Sequence, residues 1–463
     1  MGCKVVIIGG GSYNWTPTLA GDLFSREGLR GSELVLVDIN TPAAEVMKKY
    51  CEMMIQALGT DWKVSVEDLD TALQGATVVC ISISTGGLKA MELDYHIPEK
   101  YGVYHTVGDS VGPGGISRTL RNVPVFLDIA RKMEKICPDA WLVHVTNPLS
   151  QLTRAVCMET SIKCVGLCHN YAGTIAMLAD YFGVETDEVN ALSVGVNHFT
   201  WLKNITVKGK PVDKELSLER YVEYFNNKHG ILVTNTTDDI IQRELVGHNM
   251  EYYFNFYLYE RFGYFPVGSS NHVAENLPYY CNDLELMKKY HIRRKGVLPR
   301  RQILVDKKIN EIHDILDGKK PLPEIKPSNE ALSVIVESLY TGKPSSCIAA
   351  MPNQGQVSNL PDDVIVETWV HVNGSGIFPV MSGEIPEYLT GYMQTVIDEQ
   401  EATVKAAITG DRNLVVRAMH ISPELLNKEA AVQLTDELLS AHRDYLPQFL
   451  SKIDCDYTRN GGI

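Results

Sequence analysis

The chain has 463 residues, of which 44% are hydrophobic and 22% charged, so it can bury a large core. Its formal net charge of −14 argues against nucleic acid or an anionic membrane surface as the main partner. No apolar run is long enough to span a bilayer, and the run from Val5 to Ile8 is too short for a signal peptide. The ten cysteines form no paired CxxC pattern, which favours reduced thiols. We therefore expect a cytoplasmic protein.

The N-terminal residues have the pattern of a dinucleotide-binding unit. A β-branched run ends in Gly9-Gly10-Gly11-Ser12, and Asp38 follows the next apolar run. Glycines at this turn let the backbone approach a pyrophosphate, and Asp38 can bind an adenosine ribose, which favours NAD over NADP. Asn14 stands where a third glycine is expected, so a glycine-rich turn that binds nothing is the alternative.

Further β-branched runs alternate with helical segments and predict an α/β fold. We expect a Rossmann-like parallel sheet over residues 1–196, followed by an α+β domain over 197–463, as in lactate and malate dehydrogenases. Ligands of such sheets bind at the carboxyl ends of the strands. The residues expected to contact the cofactor there are Gly9, Gly11, Ser12, Asp38, Thr85 and Asn147.

Several segments have open interpretations. The glycine-rich segment 105–115 is expected to be a functional loop before a helix that begins at Ile116, and its Asp109 either polarises a catalytic group or caps that helix. Asn147 either binds a ligand or is an N-cap before Pro148. Farther on, we expect a surface excursion over 307–328, a strand with one solvated face over 364–372 and a helix over 424–440.

Cys168 and His198 each follow an apolar strand, at the same end of the presumed sheet. Thiolate and imidazole are good ligands for a divalent transition metal, and two protein ligands would leave an open site suited to catalysis. A buried cysteine and a hydrogen-bonded core histidine are the alternative. A stripe of tyrosines that includes Tyr252, Tyr253 and Tyr257 is either core or the source of a catalytic base.

Together these segments resemble glycoside hydrolase family 4, from the N-terminus to about Phe449. The matching blocks are Ile8-Gly9-Gly10-Gly11-Ser12, Gly112-Pro113-Gly114-Gly115-Ile116-Ser117-Arg118, Thr146-Asn147-Pro148, Gly166-Leu167-Cys168-His169 and Gly195-Val196-Asn197-His198. The resemblance implies a glycosidase that requires NAD and Mn²⁺ and departs from the usual scheme of two carboxylates. It implies oxidation of the sugar at C3, proton abstraction at C2, elimination at C1, and return of the hydride after water has added.

The resemblance also implies roles for individual residues. Cys168 and His198 would be the metal ligands. Asp109 would raise the basicity of a catalytic tyrosine, for which Tyr253 and Tyr257 are the candidates, and His169 would be the acid. Asn147 would bind the substrate, and Arg118 resembles the branch that acts on unphosphorylated α-glycosides. Two further substrate candidates do not rest on the resemblance: His272, from a polar cluster over 269–272, and Asn170, which matches neither branch.

The substrate is expected to be an unphosphorylated α-glycoside, because an arginine expected near Leu93 for a 6-phosphate is absent. The segment from Gly263 to Tyr280 is similar to α-galactosidases of the melibiase type, whereas 197–201 is similar to α-galacturonidases. We therefore expect an α-galactosidase, with α-galacturonidase and then 6-phospho-α-glucosidase as alternatives. Members of the family suggest a homodimer or homotetramer. The rivals from other classes are an NAD-dependent 2-hydroxy acid dehydrogenase, with Arg118 and Arg121 as its substrate clamp, and an inactive sugar sensor.

Overall fold

The computed structural model describes residues 2–229, 250–294, 300–328 and 330–450. A nine-stranded sheet forms its centre, and a second sheet of four strands lies beside it. The strands are Lys4–Ile8 (β1), Glu33–Val37 (β2), Lys63–Val66 (β3), Val78–Ile81 (β4), Trp141–His144 (β5), Cys164–Gly166 (β6), Val189–Val196 (β7), Phe199–Val207 (β8), Lys210–Pro211 (β9), Phe265–Pro266 (β10), Ser345–Pro352 (β11), Ile365–Asn373 (β12) and Gly376–Pro379 (β13).

Helices cover both faces of the large sheet and form much of the C-terminal half. Their bounds are Trp15–Phe24, Thr41–Leu58, Leu69–Leu73, Gly87–His96, Gly112–Ile136, Leu149–Glu159, Asn170–Phe182, Leu218–His229, Tyr253–Phe262, Ser270–Glu275, Leu284–Lys289, Arg300–Leu316, Leu332–Thr341, Glu387–Thr409, Arg412–Ile421 and Ala431–Ala441. The helix Thr41–Leu58 shows how local sequence sets such bounds. The side chain of Asn40 accepts a hydrogen bond from Ala43 N at its start, and Gly59 ends it in the left-handed conformation.

The N-terminal half has the predicted dinucleotide-binding topology. Strands β1 to β6 are parallel and lie in the order β3-β2-β1-β4-β5-β6, with the switch point between β1 and β4. Strand β4 and the part of β1 from Val5 to Ile8 are apolar and buried because helices pack on both faces of the sheet. The predicted α/β fold is therefore confirmed.

The C-terminal half extends the same sheet. Strand β11 pairs antiparallel with β6 through Ala350 and Gly166, and β12 and β13 follow. The large sheet therefore contains strands from both sides of the domain boundary expected at 196/197, and that boundary stays a prediction.

The prediction that Cys168 and His198 lie at one end of a single sheet is wrong. Cys168 follows β6 in the large sheet, whereas His198 follows β7, which pairs with β8 in the small one. The two sheets contact each other through β7 and β12. One such contact is a hydrogen bond of 3.0 Å from the indole nitrogen of Trp369 to the Ala191 carbonyl. Packing between the sheets places Asn197, the residue before His198, near Cys168.

Three local predictions are also corrected. The helix expected from Ile116 begins at Gly112, because Pro113 suits the first turn of a helix. The stretch 307–328 lies largely at the surface, as expected, but it includes most of the helix Arg300–Leu316; the helix expected over 424–440 begins only at Ala431. In the part of the chain that the structure describes, no helix is both long enough and apolar enough to cross a membrane.

Candidate functional site

The glycine turn lies where β1 meets the first helix. Gly9 has a φ of +91°, and a Cβ at this position would lie 2.0 Å from the Ser82 carbonyl oxygen at the end of β4. Only glycine permits this approach. Gly11 N donates to Asp38 Oδ2 at 2.8 Å, so the acidic residue holds the turn. Ser12 Oγ accepts from Trp15 N, at the first residue of the first helix, at 3.1 Å.

Asp38 remains able to bind a ribose in this arrangement. Its Oδ1 accepts one hydrogen bond from Asn40 N at 2.8 Å, and each carboxylate oxygen has capacity for more than one donor. The assignment of Gly9, Gly11, Ser12 and Asp38 to the cofactor stays a prediction.

Asn122, on the long helix Gly112–Ile136, joins the ends of β4 and β5. Its side-chain oxygen accepts from Thr85 N at 3.1 Å, and its amide nitrogen donates to the Asn147 carbonyl at 3.2 Å. Arg118 Nε donates to the same carbonyl at 3.0 Å. Thr85, Asn147 and Arg118, which were singled out from separate segments, therefore lie around one point at the carboxyl edge of the sheet.

Asp109 is buried in the same place. Its Oδ2 accepts from Asn147 Nδ2 at 3.3 Å, and its Oδ1 accepts from Ser110 Oγ at 2.9 Å. Burial opposes ionisation of this carboxyl, but the charges of His198 and Arg118 hold its pKa well below the ordinary range. The residue that caps the following helix is Val111, so the interpretation of Asp109 as a helix cap is not supported.

His198 lies in the tight turn between β7 and β8. Its φ of +65° is a left-handed conformation that is uncommon outside glycine and often marks a functional site. Burial lowers the pKa of the His198 imidazole, so its neutral form dominates at pH 7. At that pH the positive charge that stabilises the Asp109 carboxylate comes from Arg118. The ring centroid of His272 lies 4.4 Å from that of His198, which adds another predicted residue to the site.

Asn197 connects His198 to Cys168. Its amide donates to Glu367 Oε2 at 2.6 Å, and the side chain lies near enough to the Cys168 thiol to oppose the rise in the pKa of that thiol. Burial raises the pKa of the Cys168 thiol above its ordinary value, and the negative charge of Glu367 raises it further. A raised pKa favours the protonated thiol. A bound divalent cation would favour the thiolate instead and so deprotonate Cys168.

The residues present fit a divalent metal ion. His198 Nδ1 is buried, and it has no hydrogen-bond partner among the described residues. Buried polar atoms are normally paired, so the unpaired Nδ1, in a turn whose Asn197 lies near the Cys168 thiol, is available to a metal ion. Neutral imidazole and thiolate together suit a transition metal and leave positions for substrate oxygens.

Sequence reasoning missed Glu367 and Asn197. Strand β12 was expected to have one solvated face, but Glu367 on that face is only 1% exposed because β7 packs over it. Burial raises the pKa of Glu367 to about 7, with the Asn197 hydrogen bond acting in the opposite direction. In the sequence, the sign of a buried carboxylate was that Glu367 is a single acidic residue inside an apolar strand pattern.

Comparison with known proteins agrees with this geometry. The model of the family 4 glycosyl hydrolases matches residues 4–184, and the model of the family 4 C-terminal domain matches residues 193–425. The chain belongs to glycosyl hydrolase family 4. An α-galactosidase of Bacillus subtilis (strain 168) is 32% identical over 458 residues, covering 96% of this chain and 99% of the relative. An α-galacturonidase of Thermoanaerobacterium saccharolyticum is 31% identical, with 96% of each chain covered.

Solved structures of similar proteins share the fold of this family 4 hydrolase. The putative glucosidase lplD of Bacillus subtilis superposes with a TM-score of 0.82 at 30% identity, covering 95% of this chain and 100% of the other. A 6-phospho-β-glucosidase of Thermotoga maritima, solved with manganese, NAD⁺ and glucose-6-phosphate, has a TM-score of 0.75 at 23% identity and covers 96% of this chain and 99% of the other.

The two candidate tyrosines of the family 4 site contact mainly other aromatic and basic residues. Tyr257 hydrogen-bonds Tyr290 at 3.2 Å, and the guanidinium of Arg261 lies 3.4 Å from its ring centroid. The ring of Tyr253 lies 4.5 Å from that of His291. Burial raises the pKa of Tyr253, whereas in Tyr257 burial is outweighed by Tyr290 and Arg261, which lower the pKa. Their catalytic role stays a prediction.

His169 and Asn170 begin the helix after Cys168. The His169 side chain is 58% exposed, and its Nδ1 lies 3.5 Å from Glu330 Oε1. Asn170 is buried, and its amide Nδ2 has no hydrogen-bond partner in the described part of the chain. An orphaned buried donor suits the predicted role of Asn170 in substrate binding, and His169 has the exposure that a proton donor to a leaving group requires.

Arg121 does not serve as the clamp that a 2-hydroxy acid dehydrogenase requires. It is 1% exposed, and its Nη1 donates to Asp94 Oδ1 at 2.7 Å. His442 Nε2 lies 2.9 Å from the same carboxylate. This buried ion pair is part of the protein core, so of the two arginines of the expected clamp Arg121 is already paired and Arg118 remains.

Replacing Asp94 with asparagine is expected to lower the free energy of unfolding by about 3–5 kcal/mol, because Arg121 would keep a buried charge without its partner. Burial opposes ionisation of Asp94, but His442 and Arg121 bring its pKa below the ordinary value. The stabilisation is therefore present above the unfolded-state pKa and is lost as the pH falls through the folded-state pKa. Urea unfolding at pH 7 and at acidic pH measures both effects.

Asp70→Asn is the matched control, because Asp70 forms an ion pair with Lys132 while its side chain is 64% exposed. Such a surface pair contributes about 0–1 kcal/mol. Equal destabilisation by Asp94→Asn and Asp70→Asn would contradict the structural role of the buried pair.

Proposed function

We propose that this family 4 hydrolase is an NAD- and Mn²⁺-dependent α-glycosidase and that α-galactosides are its substrates. The orphaned Nδ1 of His198, near Asp109 and next in sequence to Asn197, which lies near the Cys168 thiol, carries the proposal. The reaction of a 2-hydroxy acid dehydrogenase does not require Cys168 and His198 as metal ligands. A glycosidase that removes a proton from carbon does require a metal next to the cofactor.

Each part of the site has a distinct task in the proposed reaction. Cys168 and His198 hold the cation, and the glycine turn from Gly9 to Ser12 receives the pyrophosphate of the dinucleotide. When bound, NAD supplies a reversible hydride acceptor for C3 and the cation acidifies the C2 hydrogen, so elimination at C1 becomes possible.

The chain itself positions the sugar and moves protons. Arg118, Asn147, Asn170 and His272 bind the sugar. The buried negative charge of Asp109 favours proton uptake by a neighbouring base, because a like charge disfavours the anionic form of that base. Tyr253 or Tyr257 is proposed as the base at C2, and His169 is proposed to protonate the leaving group.

The choice of substrate rests on the relatives and on one local feature. The relatives similar to this chain include an α-galactosidase and several α-galacturonidases at about 30% identity. Leu93 is 38% exposed on the helix Gly87–His96, where a member that binds a 6-phosphate would be expected to carry arginine. An uncharged hexose is therefore favoured over a 6-phosphohexose, with a galacturonide as the alternative.

Turnover is expected only when both NAD⁺ and Mn²⁺ are present, with the highest kcat/KM for p-nitrophenyl α-galactoside. The assay compares this substrate with the α-glucoside, the α-galacturonide and the 6-phosphates, each with and without the two cofactors. A C2-deuterated substrate should show a primary kinetic isotope effect when proton abstraction limits the rate. Turnover independent of both cofactors would contradict the mechanism, and accumulation of NADH from a 2-hydroxy acid would favour a dehydrogenase.

We also propose that the protein acts in the cytoplasm as a homodimer or homotetramer on a small sugar. The cysteines that the structure describes form no disulfide, as expected for a reducing compartment. Light scattering of the purified protein tests the oligomeric state.

A further inference from the structure

Glu275 binds the loop that carries Asp109. Its Oε1 accepts hydrogen bonds from three consecutive amides: Thr106 N at 2.9 Å, Val107 N at 2.7 Å and Gly108 N at 2.7 Å. The residue is 1% exposed. Hydrogen bonds to a carboxylate are about twice as strong as those between neutral groups, so this oxygen fixes the backbone directly before Asp109.

The helix that ends at Glu275 also carries a predicted substrate residue. His272 lies on Ser270–Glu275, with its ring beside that of His198. Thr106 Oγ1 donates to the Asn271 carbonyl at 2.6 Å, which gives the loop a second attachment to this helix. One short helix therefore contacts both the Asp109 loop and the His198 ring.

Asn276 attaches the same helix to the metal-ligand turn. Its amide Nδ2 donates to the His198 carbonyl at 3.0 Å and to the His272 carbonyl at 3.2 Å. The loop with Asp109, the helix with His272 and the turn with His198 therefore form one hydrogen-bonded unit, in which Glu275 makes the largest set of contacts to the loop.

His105, Glu275 and Glu424 form a buried cluster whose potential ligand atoms lie within 4.8 Å of one another, which raises the question of a second metal. His105 Nε2 accepts a hydrogen bond from Gly114 N at 3.0 Å. A neutral imidazole has only one acceptor nitrogen, so Nδ1 carries the proton; it lies 3.0 Å from Glu424 Oε2, but not in hydrogen-bonding geometry. A protonated nitrogen cannot bind a cation, and Glu275 Oε1 already accepts three hydrogen bonds. The cluster therefore holds a proton and supports the loop.

We propose that Glu275 is a positioning residue, which holds Asp109 against Asn147 and Arg118 by binding the amides of Thr106, Val107 and Gly108. The inference rests on the proposed function, since it assigns to Asp109 a part in the reaction. Glu275 itself acts only through the loop.

Glu275→Gln tests the proposal, because glutamine keeps the shape and an acceptor oxygen but removes the charge. We expect kcat per NAD⁺-binding site to fall on the order of 10²-fold, because a displacement of a catalytic group by about 1 Å has an effect of this size. The KM for the α-glycoside should change much less, because Asn170 and the sugar-binding surface remain. Hydrogen exchange of the Thr106, Val107 and Gly108 amides should become faster, and the electron paramagnetic resonance spectrum of added Mn²⁺ reports whether the metal site is intact.

Glu134→Gln is the matched control. The Glu134 carboxylate accepts hydrogen bonds from Ser161 N at 2.7 Å and Ser161 Oγ at 2.9 Å, at the far end of the helix Gly112–Ile136. It therefore loses the same kind of interaction without any contact to the loop, and its kcat should equal that of the wild type. Expressing kcat per NAD⁺-binding site separates a catalytic defect from a loss of folded protein.

An unchanged kcat in Glu275→Gln, or unchanged exchange of the three amides, would overturn the proposal. If Glu275→Gln does not fold, Glu275→Asp decides, because it keeps the charge but withdraws the carboxylate from the amides of Thr106, Val107 and Gly108. A lower kcat in that variant supports the coupling of loop and helix, and an unchanged kcat refutes it. A wild-type protein that cleaves no glycoside would refute the proposed function, whereas the exchange measurement would still decide whether Glu275 holds the loop.

Discussion

Cys168→Ser is expected to lose at least about 100-fold in turnover, since even residues that merely orient metal ligands contribute 10- to 100-fold. The substitution is nearly isosteric but replaces a soft ligand with a hydroxyl that binds divalent metals poorly. The fold and NAD⁺ binding should survive, because the residue lies at the end of β6 and is only partly buried. Turnover titrated with Mn²⁺ at saturating NAD⁺ measures the loss, and circular dichroism checks the fold.

Cys347→Ser is the control for this substitution. Cys347 lies in β11 of the same sheet, is also partly buried and belongs to the core around that strand. Its replacement should leave the Mn²⁺ dependence unchanged. Wild-type turnover and an unaltered Mn²⁺ titration in Cys168→Ser would exclude the ligand assignment.

Gly9→Ala is expected to weaken NAD⁺ binding by about 30-fold or more. The new Cβ would meet the Ser82 carbonyl oxygen at 2.0 Å, so the end of β1 must move away from β4. Overpacking of this kind costs about 1–3 kcal/mol, and the positive φ adds strain. At about 1.4 kcal/mol per tenfold change in affinity, 2 kcal/mol already corresponds to roughly 30-fold. Fluorescence quenching on titration with NAD⁺ measures the affinity.

Gly59→Ala is the control, because it introduces the strain of a positive φ without a steric clash of the new Cβ. Gly59 ends the helix Thr41–Leu58 with a φ of +61°, and a Cβ there would meet nothing within 4 Å. This variant should lose about 1–2 kcal/mol of stability, as for any left-handed residue with a Cβ, while its affinity for NAD⁺ stays at the wild-type value. Equal losses of NAD⁺ affinity in Gly9→Ala and Gly59→Ala would mean that the close approach to β4 is unimportant.

The glycine turn and the strands that follow it were predictable because their chemistry is local. A β-branched run buried on both faces and a glycine with a positive φ each leave a signature within a few residues. The segment Gly112 to Gly115 was harder to assign, since its glycines indicate a loop whereas Pro113 begins a buried helix. The contacts that decided between these structures come from distant segments such as Glu399, whose Oε1 accepts from Gly112 N at 2.9 Å.

The sequence by itself determined the parallel sheet, the dinucleotide turn and the identity of Cys168, His198 and Asp109 as candidate site residues, because residue type and short spacing carry that information. Only the tertiary structure decided that the turn with His198 comes from a second sheet, with Asn197 near Cys168, and that Arg121 is held by Asp94. It also revealed Glu275 and Glu367 as supports of the site. Glu275 lies more than 160 residues from the amides it binds, and the separation of 167 residues between Gly108 and Glu275 leaves no periodic pattern that a single sequence could display.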